Sequence, residues 1–362
     1  MDIFNLQRSM FKVRCSMFGI AALLIASAPL ARADNASPLR TIVFGSCAHQ
    51  GRAQDFWAPI LASKPDAFIF MGDNIYGDTE DMGRLEEKYG YLAAQPGFKK
   101  LRKNAILLAT WDDHDFGKND AGADFPRKAE SREVFLDFWE VPKDSPRRQH
   151  DGVYDAAVFG PPGKRVQVIL LDTRYFRGPL NRLPERPKND GPYVENDDPS
   201  ATMLGDEQWA WLDKQLREPA ELRLLVSSIQ VVANDHHWEK WGNLPRERER
   251  LFQLLRDTGA YGIVILSGDR HRGELSRIDD AIAYPLYDVT ASALNMSHAI
   301  DYVEPNAHRL GELINDDNFG LMTIDWTQPD PEITLQLRDM SDKVRVEQKM
   351  RLSELNPGEN KE

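Results

Sequence analysis

Between Trp111 and Asp120 the chain reads WDDHDFGKND, four aspartates and one histidine within ten residues, directly after the apolar run ILLAT. Carboxylates crowded at the end of a buried segment repel one another and resist ionising unless a cation neutralises them. The alternatives are a metal site and a plain solvated acidic loop, and the rest of the chain discriminates between them. Comparable groups recur: Ser46-Cys47 after TIVFG, Gly72-Asp73-Asn74 after AFIFM, Asp172-Thr173-Arg174 after VQVILL, Ser227 to Gln230 after LRLLV, and Gly268-Asp269-Arg270-His271 after IVILS. Carboxylate, amide, imidazole and thiolate donors mix hard and soft ligands, which suits a transition metal with or without a second, harder ion. Each fragment alone has an ordinary structural reading, since a strand-end Asp caps a turn or helix and a lone Cys packs as a small apolar residue. Their number points to a shared site.

Those groups need elements that deliver them to one place. The preceding runs are short, rich in Ile, Val and Leu, and nearly continuous in apolar character, which predicts strands covered on both faces. Helical stretches lie between them, clearest in MLGDEQWAWLDKQLRE, where Trp209, Leu212 and Leu216 share one face behind an acidic first turn. Strands alternating with helices predict an α/β fold, with ligand groups gathered at the carboxyl ends of the strands. The segment Pro179 to Pro199 reads as a long surface loop, strands without helices follow Tyr284, and no internal repeat is present.

Composition and charge narrow the function. With 41% apolar and 28% charged residues in 362, the chain is globular. Arg8, Lys12 and Arg14 precede MFGIAALLIASAPL, which ends in Ala31-Arg32-Ala33; this predicts an export signal over residues 1–33, cleaved near Ala33, with a periplasmic or extracellular destination. A membrane anchor is not expected, because Ser27 and Pro29 interrupt a stretch shorter than the roughly 20 residues a bilayer needs. The expected layout is then a single domain over 34–352 and a polar, frayed tail over 353–362. Removing residues 1–33 takes the net charge from −12 to −15, which excludes a nucleic-acid-binding module. It also leaves Cys47 as the one thiol, without a partner for an internal disulfide.

The series FGSCAHQ, FMGDNIYGD, TWDDHDFGKND, LDTRYFR, GDEQWAWLDKQL, SSIQVV and LSGDRHRGEL, in this order, resembles the PhoD-like alkaline phosphatases of the calcineurin-like metallophosphoesterase superfamily, over about Thr41 to Ser276. The resemblance implies a four-layer α-β-β-α sandwich with a multinuclear metal site at one edge. It implies that Cys47 and Tyr76 bind iron, that Asp73 bridges metals, that Asp113 stands where typical superfamily members have a metal-binding asparagine, and that Asp269 and His271 are the last ligands. His114 matches the histidine that contacts phosphate, and Asn119 matches the asparagine after the DDH block, whose spacing varies in the family. At Gln230, SSIQVV departs from the commoner double glutamine. Iron with calcium is the implied metal content, with zinc or manganese as alternatives. The amino-terminal β-sandwich of many PhoD proteins is not expected, because the first motif begins soon after the signal.

The expected activity is hydrolysis of a small phosphate monoester by in-line attack of metal-bound hydroxide, with His114 stabilising the transferring group or protonating the leaving oxygen. A phosphodiesterase or phospholipase D-type activity at the same centre is the rival within the class, and a non-catalytic phosphate-ester-binding protein the rival outside it. Arg174 either clamps phosphate oxygens or pairs with an aspartate. A nucleophilic role for Cys47 is disfavoured, since SCAHQGRA lacks the spacing of a phosphate-binding loop. His236 and His237 are adjacent and would point apart, so His236, Trp238 and Trp241 are expected on a substrate-facing loop, with RERERL after them as a solvated helix face.

Overall fold

The computed structural model describes residues 37–298 and 302–358, so the export signal expected over residues 1–33 lies outside them. Short apolar runs form β1 (Thr41–Gly45), β2 (Ala67–Met71), β3 (Ile106–Thr110), β4 (Asp155–Phe159) and β5 (Val166–Leu170). A two-residue pair, β6 (Asn181–Arg182) and β7 (Tyr193–Val194), precedes β8 (Leu222–Val226), β9 (Ile263–Ser267), β10 (Gly273–Ile278) and β11 (Leu286–Ala291). Then come β12 (Arg309–Ile314) and the longer β13 (Asn318–Asp325), β14 (Glu332–Asp339) and β15 (Val344–Arg351). Helices α1 (Trp57–Ala62), α2 (Met82–Ala94), α3 (Pro96–Asn104), α4 (Asp113–Phe116), α5 (Lys128–Phe138), α6 (Gly205–Leu216) and α7 (Pro245–Thr258) fall between β1 and β9.

The strands build a six-stranded sheet in the order β15-β14-β13-β1-β2-β3 and a seven-stranded sheet in the order β12-β10-β11-β9-β8-β5-β4. Within the first, β1, β2 and β3 are parallel; within the second, β5, β8, β9 and β11 are parallel. Neighbouring parallel strands end on the same side of their sheet, so the polar residues after them emerge together. Alternation along each strand sets the layers. Val43, Phe68 and Phe70 pack with Trp57 of α1, Leu85 of α2, Phe98 of α3 and Phe135 of α5. Their strand neighbours Ile42, Phe44, Ile69 and Met71 join Val168, Leu224 and Ile265 of the second sheet. On the opposite face of that sheet, Gln167 donates to the Gln215 carbonyl of α6 (2.9 Å). This is the four-layer α-β-β-α sandwich that the family resemblance implied. Phe68 and Phe70 are fully buried, each stabilising by roughly 1.5–3 kcal/mol.

Three local expectations change. The Pro179 to Pro199 segment is more than a surface loop: it contains the antiparallel pair β6 and β7, and Tyr193 is buried with its hydroxyl donated to Asp120. Ser353 to Leu355, expected in a frayed tail, form a docked 3-10 turn in which Leu355 is buried and its carbonyl accepts from Gly262 N–H (2.8 Å). In RERERL, Glu247 is buried beneath the helix, where it accepts from Trp209 Nε1 (2.8 Å) and Met203 N–H (2.7 Å). No helix among the described residues is long and apolar enough to cross a membrane.

Candidate metal centre

The ends of β1, β2, β3 and β9 carry Cys47, Asp73, Asp112-Asp113 and Asp269-His271, and the two sheets bring these side chains together. Ligand atoms of Cys47, Asp73 and His271 lie within 4.8 Å of one another. The same holds for Asp73, Asp113 and His114, and for Asp112, Asp113 and Asp269. Asp73 and Asp113 each belong to two groups, so one carboxylate can face two neighbouring cations. Cys47 Sγ is 3.5 Å from Asp73 Oδ2, and Tyr76 Oη is 3.2 Å from His271 Nε2. Asp113, His114, Asn119, Asp269 and His271 line a cleft of about 800 Å³, whereas Cys47 and Asp73 are buried.

The backbone is held in an uncommon conformation to achieve this. Cys47 (φ 58°), Asp73 (φ 48°), Asp269 (φ 68°) and His271 (φ 54°) all occupy the left-handed region. Such residues cost of order 1–3 kcal/mol each and concentrate at functional sites. Before Asp73, Gly72 (φ 103°) runs so close to β3 that a Cβ would sit 2.5 Å from Asp112 Cβ, and this tight approach brings the β2 and β3 termini together.

The four aspartates of WDDHDFGKND have separate tasks. Asp115 accepts from the backbone N–H groups of Asp112 (2.6 Å), Asp73 (3.2 Å) and Asn74 (3.3 Å), fastening the ends of β2 and β3. Asp113 faces the donor groups, with Oδ2 accepting from Asp120 N–H (2.6 Å). Asp112 Oδ1 accepts from Arg174 Nε (2.6 Å) and from Ser228 Oγ, while its Oδ2 is buried without a partner. Asp120 accepts from Tyr193 and lies 3.7 Å from Arg182.

Charges in this site are strongly perturbed. Burial, aided by the Asp113 charge, pushes the Asp73 carboxyl well above the usual range; burial and the Asp112 charge do the same to Asp269. Burial pushes the Cys47 thiol up to about 12, with the Asp269 charge reinforcing it. Burial would also raise Asp113, but the His114 and Arg174 charges outweigh it and hold that carboxyl low. Desolvation opposes a charged His114, yet Asp113, Asp73 and Asp78 raise it to about 11. His271 is held down to about 3 by burial and by the neighbouring His298, so its ring is neutral and able to ligate. The donor set fits a cation pair. A thiol and an imidazole flank one side, carboxylates the other, and the orphaned Asp112 Oδ2 is an acceptor suited to a positive charge.

Other expected site residues are distributed differently. Arg174 is fully buried and bonded to Asp112 and to Glu239 Oε2 (2.6 Å); it pairs with acid and is not among the residues lining the cleft, which corrects the phosphate-clamp reading. Trp241 is a core residue, fully buried with Nε1 donated to Ser227 Oγ (2.9 Å), and so does not face substrate. His236 is buried and tied to Gln230 Oε1 (2.9 Å), lining a separate depression. Trp238 alone of that trio lines the main cleft. Gln230 Nε2 is spent on Glu274 and Thr290. Sequence reasoning missed Asp112, whose place in the DDH block was a usable signal. It also missed His298, stacked at 4.4 Å on His271, for which no motif existed.

Comparison with known proteins converges on one family. A family model for PhoD-like phosphatase matches residues 42–297. Alkaline phosphatase D of Bacillus subtilis (strain 168) is 25% identical over 285 residues, covering 67% of this chain and 47% of that protein, so the chain spans about half the length of this curated relative. A solved structure described as "Structure of PhoD" superposes with a TM-score of 0.67 at 19% identity, over 87% of this chain and 69% of the other, a likeness of fold.

Proposed function

The chain belongs to the PhoD-like phosphatase family, and we propose that it is an exported, metal-dependent hydrolase of small phosphate esters, acting on monoesters. The observation that carries this reading is the convergence of Cys47, Asp73, Asp112, Asp113, Asp269 and His271 in overlapping groups, of which Asp113, Asp269 and His271 line the cleft and the others are buried. Cys47, Asp73, Tyr76, Asp112, Asp113, Asp269 and His271 are the residues that would hold the cations, Asp73 and Asp113 each belonging to two of the groups. Bound there, the cations would offset the anionic oxygens of the ester and acidify water near neutral pH, the two obstacles to its hydrolysis. Iron with calcium is the metal content proposed.

The chain's own residues do the rest. Water adds to phosphorus in line and gives up one proton, the ester P–O bond breaks opposite it, and the departing alkoxide takes up a proton, so that phosphate and the free alcohol form with no net proton change. His114 is the residue proposed to give that proton or to stabilise the transferring group. Its Nδ1 is 2.8 Å from Asp78 Oδ1 and its ring packs 4.3 Å from Tyr76, which fixes the imidazole and leaves Nε2 for the ester. Asn119 lines the cleft, and its proposed role is to donate to a phosphate oxygen or complete a metal shell. Asp115, by fastening three backbone N–H groups, keeps both strand termini in register with the ester.

The test is release of nitrophenol from mono- and bis-nitrophenyl phosphate by metal-loaded protein, with and without chelator. Chelator-sensitive release from the monoester is the expected result. Release from the diester alone would assign a phosphodiesterase, and none from either would leave only ester binding. Export is checked by sequencing the amino terminus of protein recovered from outside the cytoplasm of producing cells, which should begin near Asp34; retention of Met1 there would refute signal cleavage.

A further inference from the structure

One wall of the cleft is not used by the hydrolytic chemistry: Arg186, Trp238, Arg270 and Arg272 line it. The Arg186 guanidinium lies 4.5 Å and the Arg270 guanidinium 5.2 Å from the Trp238 ring centroid, so one indole holds two cations by their attraction to its π face. Arg270 Nη2 donates to both oxygens of Glu304 (2.8 and 2.7 Å), and Arg272 Nη1 approaches the same carboxylate at 3.4 Å. A single buried carboxylate therefore answers two buried guanidinium groups. Arg186 donates Nε to the Asp190 carbonyl oxygen (2.7 Å) and makes no ion pair among the described residues. The nearby Asp190 carboxylate is engaged by His237. Arg182, further along the cleft, is matched by Asp120 at 3.7 Å.

Three donors on this wall, Arg270 Nε, Arg272 Nε and Trp238 Nε1, are buried without an acceptor. Guanidinium and indole groups only donate, so the wall carries surplus positive charge and surplus donors together. In a chain of net charge −12 such a surplus is local and directed. It is complementary to an oxyanion, which guanidinium groups bind through paired, charge-assisted hydrogen bonds. The Trp238 ring already engages two cations, which favours an anion here over a stacked aromatic group.

We propose that this wall is a second anion subsite, and that the preferred substrate is a phosphate ester whose alcohol carries a further phosphate group. The scissile phosphate lies over the acidic cluster, and the second is held by Arg186, Arg270 and Trp238. This rests on the phosphoester-hydrolase reading of the same cleft.

The test uses α,ω-alkanediol bisphosphates of increasing chain length beside the matching alkanediol monophosphates. Phosphate release is measured with metal-loaded protein, and binding to metal-free protein by titration calorimetry. At the best chain length, kcat/KM for the bisphosphate exceeds that for the monophosphate by about tenfold, the scale of one charge-assisted hydrogen bond. Arg186→Gln reduces that ratio to near one; Arg186 is exposed, so the fold tolerates the change. Raised ionic strength narrows the ratio as well. A wild-type ratio near one at every chain length overturns the subsite and leaves the hydrolase reading intact. No release from any ester overturns the hydrolase reading, and calorimetry then decides the subsite. Tighter bisphosphate binding that Arg186→Gln abolishes supports it; equal binding of both series overturns it.

Discussion

Asp73 combines a left-handed backbone, φ 48°, with a carboxylate shared by two donor groups. Asparagine accepts that backbone readily, so Asp73→Asn removes a charge without adding strain. Elemental analysis of the purified variant should show at least one metal equivalent lost, and kcat/KM for nitrophenyl phosphate should fall by roughly a hundredfold. Unchanged metal content would remove Asp73 from the site. His114→Gln separates chemistry from ligation: metal is retained while kcat drops by roughly 10²–10⁴, and loss of metal instead would make His114 a ligand. Arg174 tests the opposite kind of residue. Arg174→Met leaves Asp112 buried without its cation and Glu239 with Arg177 alone, at 3.0 Å, and removing one partner of a buried pair costs roughly 3–5 kcal/mol. Urea unfolding of metal-free protein should show that loss; a variant of wild-type stability with raised KM would restore the phosphate-clamp role.

Among the elements, the segment carrying β6 and β7 depends on a tether to the Trp238 loop. Asp190 accepts from His237 Nδ1 (2.7 Å) and N–H (2.8 Å) and from Gly191 N–H (2.7 Å). Burial alone would raise the Asp190 carboxyl, but the His237 bonds outweigh it and hold it below the ordinary value. A carboxylate depressed by folding stabilises above its unfolded pKa of about 4 and loses that contribution as pH falls through the lower folded value. Acid titration followed by Trp238 fluorescence should therefore show a transition below about pH 4 that is absent in Asp190→Asn. A transition of equal size in the variant would show that the tether is not what titrates. The same elements explain why the segment resists reading from sequence. Its prolines, glycine and asparagines announce a loop, whereas its order comes from distant partners such as Asp120 and His237.

For the whole molecule, the two apolar clusters lie between layers and do not include the charged cluster at the strand ends. The sandwich should thus outlast its metals. Dialysis against chelator should abolish ester hydrolysis and lower the melting temperature by the binding term alone, while far-ultraviolet circular dichroism stays native. Restored metal should restore turnover; collapse of the spectrum on chelation would show instead that metal is part of the folding free energy.

Amino-acid order alone determined the strands, because a buried parallel strand must be apolar throughout and its end must turn polar. Hence Thr41–Gly45, Ala67–Met71, Ile106–Thr110 and Ile263–Ser267 could be read directly, with Cys47, Asp73, Asp113, Asp269 and His271 next to them. Which side chain does what was left to tertiary structure. Asp112 and Asp113 are adjacent and identical in type, yet one is bonded by Arg174 and Ser228 and the other by Asp120 N–H. Trp238 and Trp241 share one short segment, but only the first reaches the cleft. Local pattern reports burial and turn chemistry, whereas roles depend on partners tens or hundreds of residues away, and only the packing of the two sheets chooses those.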